Sequence, residues 1–241
     1  MTRTFKVLSL LLAYPTEEMR TAAPELTSAL DEEGLLPARL RRSVAVLIDE
    51  LATRDLYDLQ ERYGLLFDRT RSLSLHLFEH IHGESRDRGQ AMLDLMALYE
   101  SHGLAIEAKE LPDYLPLFLE FLSTRPLGEA RTLLAQPLHI LAALRQRLGK
   151  RRSAYDAVFR ALEHIAEGKP EAEALAALLG EPEDDPNDLE ALDRSWEDAP
   201  VTFGPTAGAA APGGGCPAAR ASLARMDGGT GDAEKRSTDN V

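Results

Sequence analysis

Apolar residues recur at intervals of three and four along this chain from Phe5 to about Gly180, and glycine or proline interrupts the repeats. This spacing places apolar side chains on one face of an α-helix, whereas a half-buried strand alternates apolar and polar residues. Alternating stretches are hard to find in the same part of the sequence. The pattern therefore predicts an all-α protein, with a single helical-bundle domain of about nine to eleven helices over residues 1–180.

Individual helices can be placed from their apolar stripes and from the residues that end them. Pro15 closes a first stripe, and Pro37 precedes a second one that runs to Leu51. A longer helix of about four and a half turns should begin at Ser85, which is a favourable N-cap, and end at Gly103, since glycine readily adopts the left-handed closing conformation. Connections are short, so sequential helices should pack as neighbours.

The composition changes beyond Gly180. Residues 181–241 hold thirteen acidic and five basic residues and six of the 14 prolines, together with a glycine–alanine tract. Such a composition is typical of disorder, so we expect a flexible acidic tail. An apolar patch within it either docks on the chain's own domain or binds a partner; its residues are Leu189, Leu192, Trp196, Val201 and Phe203.

Charge and cysteine content limit the partners and the compartment. The formal net charge is −13, and no stretch rich in lysine and arginine is interleaved with aromatic residues, so nucleic acid is not an expected partner. The single cysteine, Cys216, allows no internal disulfide and no thiolate metal centre, which favours a cytoplasmic location. The apolar run at residues 7–13 is too short to span a membrane, so no membrane insertion is expected.

Residues 76–80 match the H-x-x-E-H pattern of a class of zinc peptidases, in which two imidazoles hold the metal and a glutamate acts as base. On one helix His76 and His80 would share a face, and Glu163 is one of several carboxylates that could serve as third ligand. Such a peptidase also needs a strand edge for its substrate, and none is evident. The alternatives are that both histidines bond locally beside a stripe of Leu73, Leu77 and Ile81, or that they line a groove for a protein ligand.

Two further polar stretches have the same ambiguity. Residues 82–90 place Glu84, Arg86, Asp87 and Arg88 between glycines, which suits either a solvated turn or close approach of a ligand. Residues 108–114 form a loop that leads into a helix. In that loop Glu110 and Asp113 are expected at the helix N-terminus, where they could receive a basic side chain.

Three stretches together resemble a known family: Y-G-L-L-F-D at residues 63–68, S-L-H-L-F-E-H-I-H-G-E-S-R-D-R-G-Q-A-M at residues 74–92, and E-L-P-D-Y-L-P-L-F-L-E-F-L at residues 110–122. They resemble the cytoplasmic assembly chaperones of molybdenum enzymes, in the NarJ-type branch dedicated to respiratory nitrate reductase. The wider superfamily proofreads twin-arginine signal peptides and has an E-x-P-D-H stretch. Here Tyr114 occupies the position of that histidine, so no histidine-dependent property transfers to it.

The resemblance implies a non-catalytic chaperone that needs no metal or cofactor of its own. It implies binding of the apo catalytic (alpha) subunit of nitrate reductase, through its N-terminal segment and a second site, while the molybdenum cofactor and an iron–sulfur cluster are inserted. An apolar groove rimmed by carboxylates suits an amphipathic helix from such a partner. The candidate partner-binding residues are Tyr63, Phe67, His76, Glu79, His80, Glu84, Arg86, Asp87, Arg88, Glu110, Asp113 and Tyr114.

Overall fold

A computed structural model describes residues 2–82, 86–106 and 110–183, except for the side chains of His82 and Arg86. Within these ranges the chain is helical and lies in one compact unit. The expected tail at residues 181–241 lies almost wholly outside the described residues, together with its apolar patch and Cys216. The domain boundary at residue 180 and the disorder of the tail therefore stay predictions.

Twelve α-helices lie in the described residues, and ten of them have eight residues or more. This count agrees with the predicted bundle, since the two additional helices are single turns. In chain order the helices are α1 (Arg3–Leu12), α2 (Glu17–Thr21), α3 (Ala23–Glu33), α4 (Ala38–Thr53), α5 (Leu56–Tyr63), α6 (Glu79–His82), α7 (Arg86–Ser101), α8 (Leu115–Ser123), α9 (Leu127–Ala135), α10 (Leu138–Lys150), α11 (Asp156–Ile165) and α12 (Ala172–Gly180).

Helices α1 and α8 form the most extensive helix pair of the bundle, and α10 with α11 forms the next. The α1 stripe is buried as predicted, and it meets an α8 face on which Leu115, Leu119 and Leu122 have no exposed surface. Each such leucine stabilises the fold by roughly 2 kcal/mol through burial. The hydroxyl of Ser9 on α1 donates to the carbonyl of Pro116 on α8 at 2.6 Å, which satisfies a polar group inside the contact.

Residues next to the helix ends determine where several of the helices begin and end. The carboxylate of Asp55 accepts from the backbone N–H of Tyr57 at 2.9 Å and caps α5. Gly103, with φ +76°, follows the end of α7 as the sequence predicts. Helix α5 runs into a π-helical turn at Gly64–Asp68, where the Arg69 N–H donates to the Gly64 carbonyl at 3.1 Å. Among the helices of the described ranges, none combines the length and apolarity required to cross a membrane.

The interpretation that places Leu73, Leu77 and Ile81 on one helical stripe, with His76 and His80 on the same helix, is wrong. Leu73 ends a short 3-10 helix at Arg71–Leu73, His76 lies in extended backbone, and α6 begins only at Glu79. Leu77 is buried, whereas Ile81 is exposed, so they do not share a core-facing stripe. The reason is a long-range contact: backbone bonds to residues 113–115 replace the local helical bonds of this segment.

Candidate functional site

An isolated antiparallel β-bridge between His76 and Tyr114 lies at the centre of the candidate site. The N–H of Leu77 donates to the Asp113 carbonyl at 3.1 Å, and the N–H of Leu115 donates to the Leu75 carbonyl at 2.8 Å. The bridge joins the loop before α6 to the residues that lead into α8. It therefore brings two of the three motif stretches together, although 37 positions separate His76 from Asp113.

The Asp113 carboxylate is fully buried beneath this bridge. One oxygen lies 3.2 Å from Nδ1 of His76, and the other accepts from the backbone N–H of Phe78 at 3.0 Å. This hydrogen bond, assisted by the negative charge, raises the pKa of His76 above its ordinary value, against the opposing effect of burial. Asp113 was expected at the mouth of a helix, open to a basic ligand, but its two oxygens have partners inside the protein.

The third motif stretch reaches the bridge through Tyr63. Its hydroxyl donates to the Leu12 carbonyl at 2.9 Å and lies 3.0 Å from the Tyr114 hydroxyl. Because Tyr63 has a single hydroxyl proton and gives it to Leu12, Tyr114 must be the donor in the second bond. Burial raises the pKa of Tyr63 strongly, so its hydroxyl stays protonated and this order of donors is maintained.

An aromatic surface, defined here as Tyr14, Tyr63, His76, Leu111 and Tyr114, lies around these bonds. The ring of Tyr14 meets that of Tyr63 edge to face at 5.4 Å, and the rings of His76 and Tyr114 lie 5.3 Å apart. Tyr14 is 48% exposed and Leu111 is 46% exposed, while Tyr63 is buried. The surface thus offers large apolar groups to solvent beside the hydrogen-bonded hydroxyls of Tyr63 and Tyr114.

Two carboxylates flank the aromatic surface. The pKa of Asp68 is raised, first by partial burial and then by the negative charge of Glu110. Burial also raises the pKa of Tyr114, and the charges of Glu110 and Asp68 add to that shift. The two acids therefore lie on the same side of the site, and both are exposed. Sequence reasoning missed Asp68 as a site residue, although it ends the Y-G-L-L-F-D stretch and the π-helical turn that positions it.

The residues of the H-x-x-E-H pattern have three different partners. His76 bonds to Asp113, while Nε2 of His80 donates to the Ser74 carbonyl at 2.8 Å. Glu79 accepts from Arg88 of α7 at 3.2 Å. In the ranges that the structure describes, no three histidine, cysteine, aspartate or glutamate side chains are grouped so that they could hold a metal ion.

The remaining candidate residues are spread around this centre. Phe67 is buried against Tyr63, with ring centroids 4.9 Å apart. Asp87 is exposed in the first turn of α7, and the backbone of Arg86 begins that helix. Glu84 lies outside the described residues, as does the side chain of Arg86. The structure therefore brings Tyr63, Phe67, His76, Asp113 and Tyr114 together, with Glu110 beside them.

Comparison with protein families matches residues 15–161 to the family described as nitrate reductase delta subunit. The nitrate reductase molybdenum cofactor assembly chaperone NarJ of Escherichia coli (strain K12) is 41% identical over 197 residues, which are 82% of this chain and 83% of that protein. The probable NarJ chaperone of Bacillus subtilis (strain 168) is 33% identical over 162 residues, which are 67% and 85% of the two chains.

A solved structure has the same fold. The crystal structure of a putative redox enzyme maturation protein from Archaeoglobus fulgidus superposes with a TM-score of 0.50, at 23% identity. The match covers 68% of this chain and 91% of that one. At this identity the likeness extends to the helical architecture alone.

Proposed function

Since the chain belongs to the nitrate reductase delta subunit family, as a NarJ-type molybdenum cofactor assembly chaperone, we propose that it binds the apo alpha subunit of a nitrate reductase in the cytoplasm. It keeps that subunit competent for insertion of the molybdenum cofactor and of an iron–sulfur cluster. It makes two contacts, one with the subunit's N-terminal segment and one elsewhere on the subunit. One observation supports a common binding site for the three motif stretches of this chain. Tyr63, His76, Asp113 and Tyr114 bring these stretches together.

The aromatic surface suits an amphipathic N-terminal segment. Tyr14 and Leu111 expose apolar area that such a segment can cover, with a gain of roughly 25 cal/mol per Å² buried. Asp68 and Glu110 lie at the edge of this surface and favour lysine, arginine or a free amino terminus in the ligand. Exposed charges of this kind tune the on-rate and the selectivity more than the affinity.

Asp113 has a positioning role in this proposal and does not touch the ligand. Its carboxylate is inaccessible and orients His76, whose ring lies against Tyr114. The contacts with the ligand are assigned to the exposed and half-exposed groups around it: Tyr14, Asp68, His76, Glu110, Leu111 and Tyr114. Glu79 of α6 and Arg88 of α7 pair with each other next to this site.

The zinc peptidase is the alternative function, and the geometry gives it little support. Its two imidazoles and its glutamate would have to converge on one ion. They instead bond to Asp113, Ser74 and Arg88, and His76 lies outside the helix that holds His80. The proposal is therefore a chaperone that performs no reaction of its own.

The proposal is tested by calorimetric titration of the whole chain with a synthetic peptide of the alpha subunit's N-terminal segment. The double variant Asp68→Asn with Glu110→Gln should weaken binding about three- to tenfold, and the loss should shrink at high salt. Glu25→Gln, which neutralises an exposed acid on α3, serves as the matched control and should leave the affinity unchanged. Equal affinity of the double variant and the wild type would remove both acids from the site.

A further inference from the structure

A pocket of about 520 Å³ lies between the end of α4, helix α5 with its π-helical turn, and the turn after α10. None of the residues of the aromatic surface lines it. Three arginines reach it from three elements: Arg54 follows α4, Arg62 lies on α5, and Arg152 lies in the turn after α10. Arg151 also lines the pocket but has contacts of its own, so it is not counted with them. The fold thus brings several guanidinium groups to one pocket of a chain whose net charge is −13.

One carboxylate serves two of these three arginines. Glu50, the one acid among the described residues that line the pocket, accepts from Nη1 of Arg62 at 2.6 Å and lies 3.5 Å from Nη2 of Arg54. The guanidinium of Arg62 also lies 5.7 Å from the centre of the Tyr155 ring, a contact that helps to orient it. Arg152 pairs with no acidic side chain in the part of the chain that the structure describes, and its φ of +52° lies in the left-handed region that favours glycine. The pocket can therefore accept further carboxylates.

The pocket has apolar groups beside its arginines. Val46 of α4 is 56% exposed at the pocket, and Leu66 and Ala154 are half-buried in its wall. A bare inorganic anion would leave this apolar area uncovered. A polypeptide segment can cover it with an apolar side chain while its carboxylates pair with the guanidinium groups. The wall therefore suits an acidic segment that also carries apolar residues.

We propose that this arginine pocket binds an acidic segment of the client, and that it makes the second contact with the apo alpha subunit. This rests on the proposed function, since it names the chemistry of a contact that the function requires. The two contacts then differ in charge. Asp68 and Glu110 favour a basic segment at the aromatic surface, whereas the arginines favour an acidic one here. This difference disfavours binding of either client segment at the site of the other.

Photo-crosslinking of the whole chain to the whole apo alpha subunit tests this contact. A benzophenone amino acid at Val46 reports on the pocket, and one at Leu111 reports on the aromatic surface. The Val46 probe should link to a segment of the alpha subunit in which aspartate and glutamate outnumber lysine and arginine, outside the N-terminal segment. Arg54→Glu with Arg152→Glu, both at exposed positions, should lower the yield of this link about fivefold at low ionic strength, and less at high salt. The Leu111 probe should link to the N-terminal segment with the same yield in both proteins.

Two control variants separate a specific contact from a general effect of charge. Arg39→Glu with Arg42→Glu makes the same charge change near the other end of α4, about 18 Å from Arg54 along the helix, and should leave the yield of the Val46 link unchanged. Arg54→Lys with Arg152→Lys keeps both positive charges and should retain most of the yield. Equal losses in the pocket variant and in the control at the other end of α4 would overturn the proposal.

The two probes also distinguish this proposal from the proposed function. A Val46 link to the N-terminal segment, or to the chaperone's own chain, would overturn the proposal. A Leu111 link without any Val46 link would do the same, while binding of the N-terminal segment at the aromatic surface would stand. A Val46 link to an acidic segment without any Leu111 link would support the pocket and contradict the assignment of the N-terminal segment to the aromatic surface. Absence of both links would overturn both.

Discussion

The carboxylate of Asp113 holds Nδ1 of His76 at 3.2 Å while its other oxygen receives the backbone N–H of Phe78 at 3.0 Å. One buried side chain thus fixes both the imidazole and the backbone of the loop before α6. Because Asp113 comes from the segment that leads into α8, this contact connects two parts of the chain that would otherwise be independent. The geometry of the candidate site depends on it.

Replacing Asp113 by Asn should destabilise the protein. The substitution keeps the size of the side chain but removes the negative charge that accepts from His76, and it places an amide N–H₂ in a buried position. We expect a loss of about 1–3 kcal/mol in the free energy of unfolding, measured with urea. Asp49→Asn, at an exposed position on α4, should change it by less than about 0.5 kcal/mol. A similar small change for both variants would contradict the assigned role of Asp113.

The contact of His76 with Asp113 should make stability depend on pH. Asp113 raises the pKa of His76, and the negative charge of Glu79 adds to the shift while burial and Arg88 oppose it. The folded protein therefore binds this proton more tightly than the unfolded chain does. The resulting stabilisation is fully present below about pH 6.5 and is lost as the pH rises through the raised pKa. The free energy of unfolding lost on His76→Gln should accordingly be larger at pH 5.5 than at pH 8.5.

His80 should show the opposite dependence. Burial lowers its pKa, and the positive charge of Arg147 adds to that shift, against the bond to the Ser74 carbonyl. The folded protein binds this proton less tightly than the unfolded chain, so the neutral imidazole's contribution is present above about pH 6.5 and is lost as the pH falls. His80→Gln should therefore lessen the fall in the free energy of unfolding between pH 7.5 and pH 5. A steeper acid loss in the variant than in the wild type would show that the sign is wrong.

The bundle was largely predictable because local patterns determine it. The stripe of α1, the start of α4 after Pro37 and the end of α7 at Gly103 all depend on residues within a few positions of one another. Helices α1 and α4 bury the faces that their spacing indicates. The spacing of apolar residues in the sequence therefore predicts these helices and their buried faces directly.

The site was less predictable because its contacts are long-range. Nothing within residues 73–81 indicates that the backbone of residues 113–115 will hydrogen-bond to this segment, so the spacing of Leu73, Leu77 and Ile81 suggested a helical stripe. The same contact makes Asp113 a buried acceptor, where its position before α8 suggested an exposed one. Asp68 was missed because its proximity to Glu110 results from the packing of α5 near the loop before α8, which no spacing in the sequence encodes.

The hydroxyl pair of Tyr63 and Tyr114 should behave asymmetrically. Tyr63→Phe leaves the buried Leu12 carbonyl without its donor, so we expect a loss of about 1–3 kcal/mol in the free energy of unfolding. Tyr114→Phe removes a single donor and should cost about 0.5–1.5 kcal/mol. In a double-mutant cycle the two losses should not add, because the bond between the hydroxyls is counted in both. Tyr57→Phe, at an 80% exposed side chain, is the control and should have little effect.

Arg147 provides a further test, in the interior that supports the site. Its side chain is 1% exposed on α10; Nη1 donates to the Ser72 carbonyl at 2.7 Å and Nη2 donates to the Leu178 carbonyl. One guanidinium thus ties α10 both to the 3-10 helix before His76 and to α12. Arg147→Met keeps the apolar stem but leaves both carbonyls without these donors, and should cost about 2–5 kcal/mol in urea unfolding. Arg147→Lys should recover only part of this loss, because a single ammonium cannot reproduce two donors in a planar fork.

Amide hydrogen exchange in the Arg147→Met variant should also accelerate in α12 more than in α1. Full stability of the methionine variant, or equal exchange in the two helices, would show that Arg147 does not hold α12 in place.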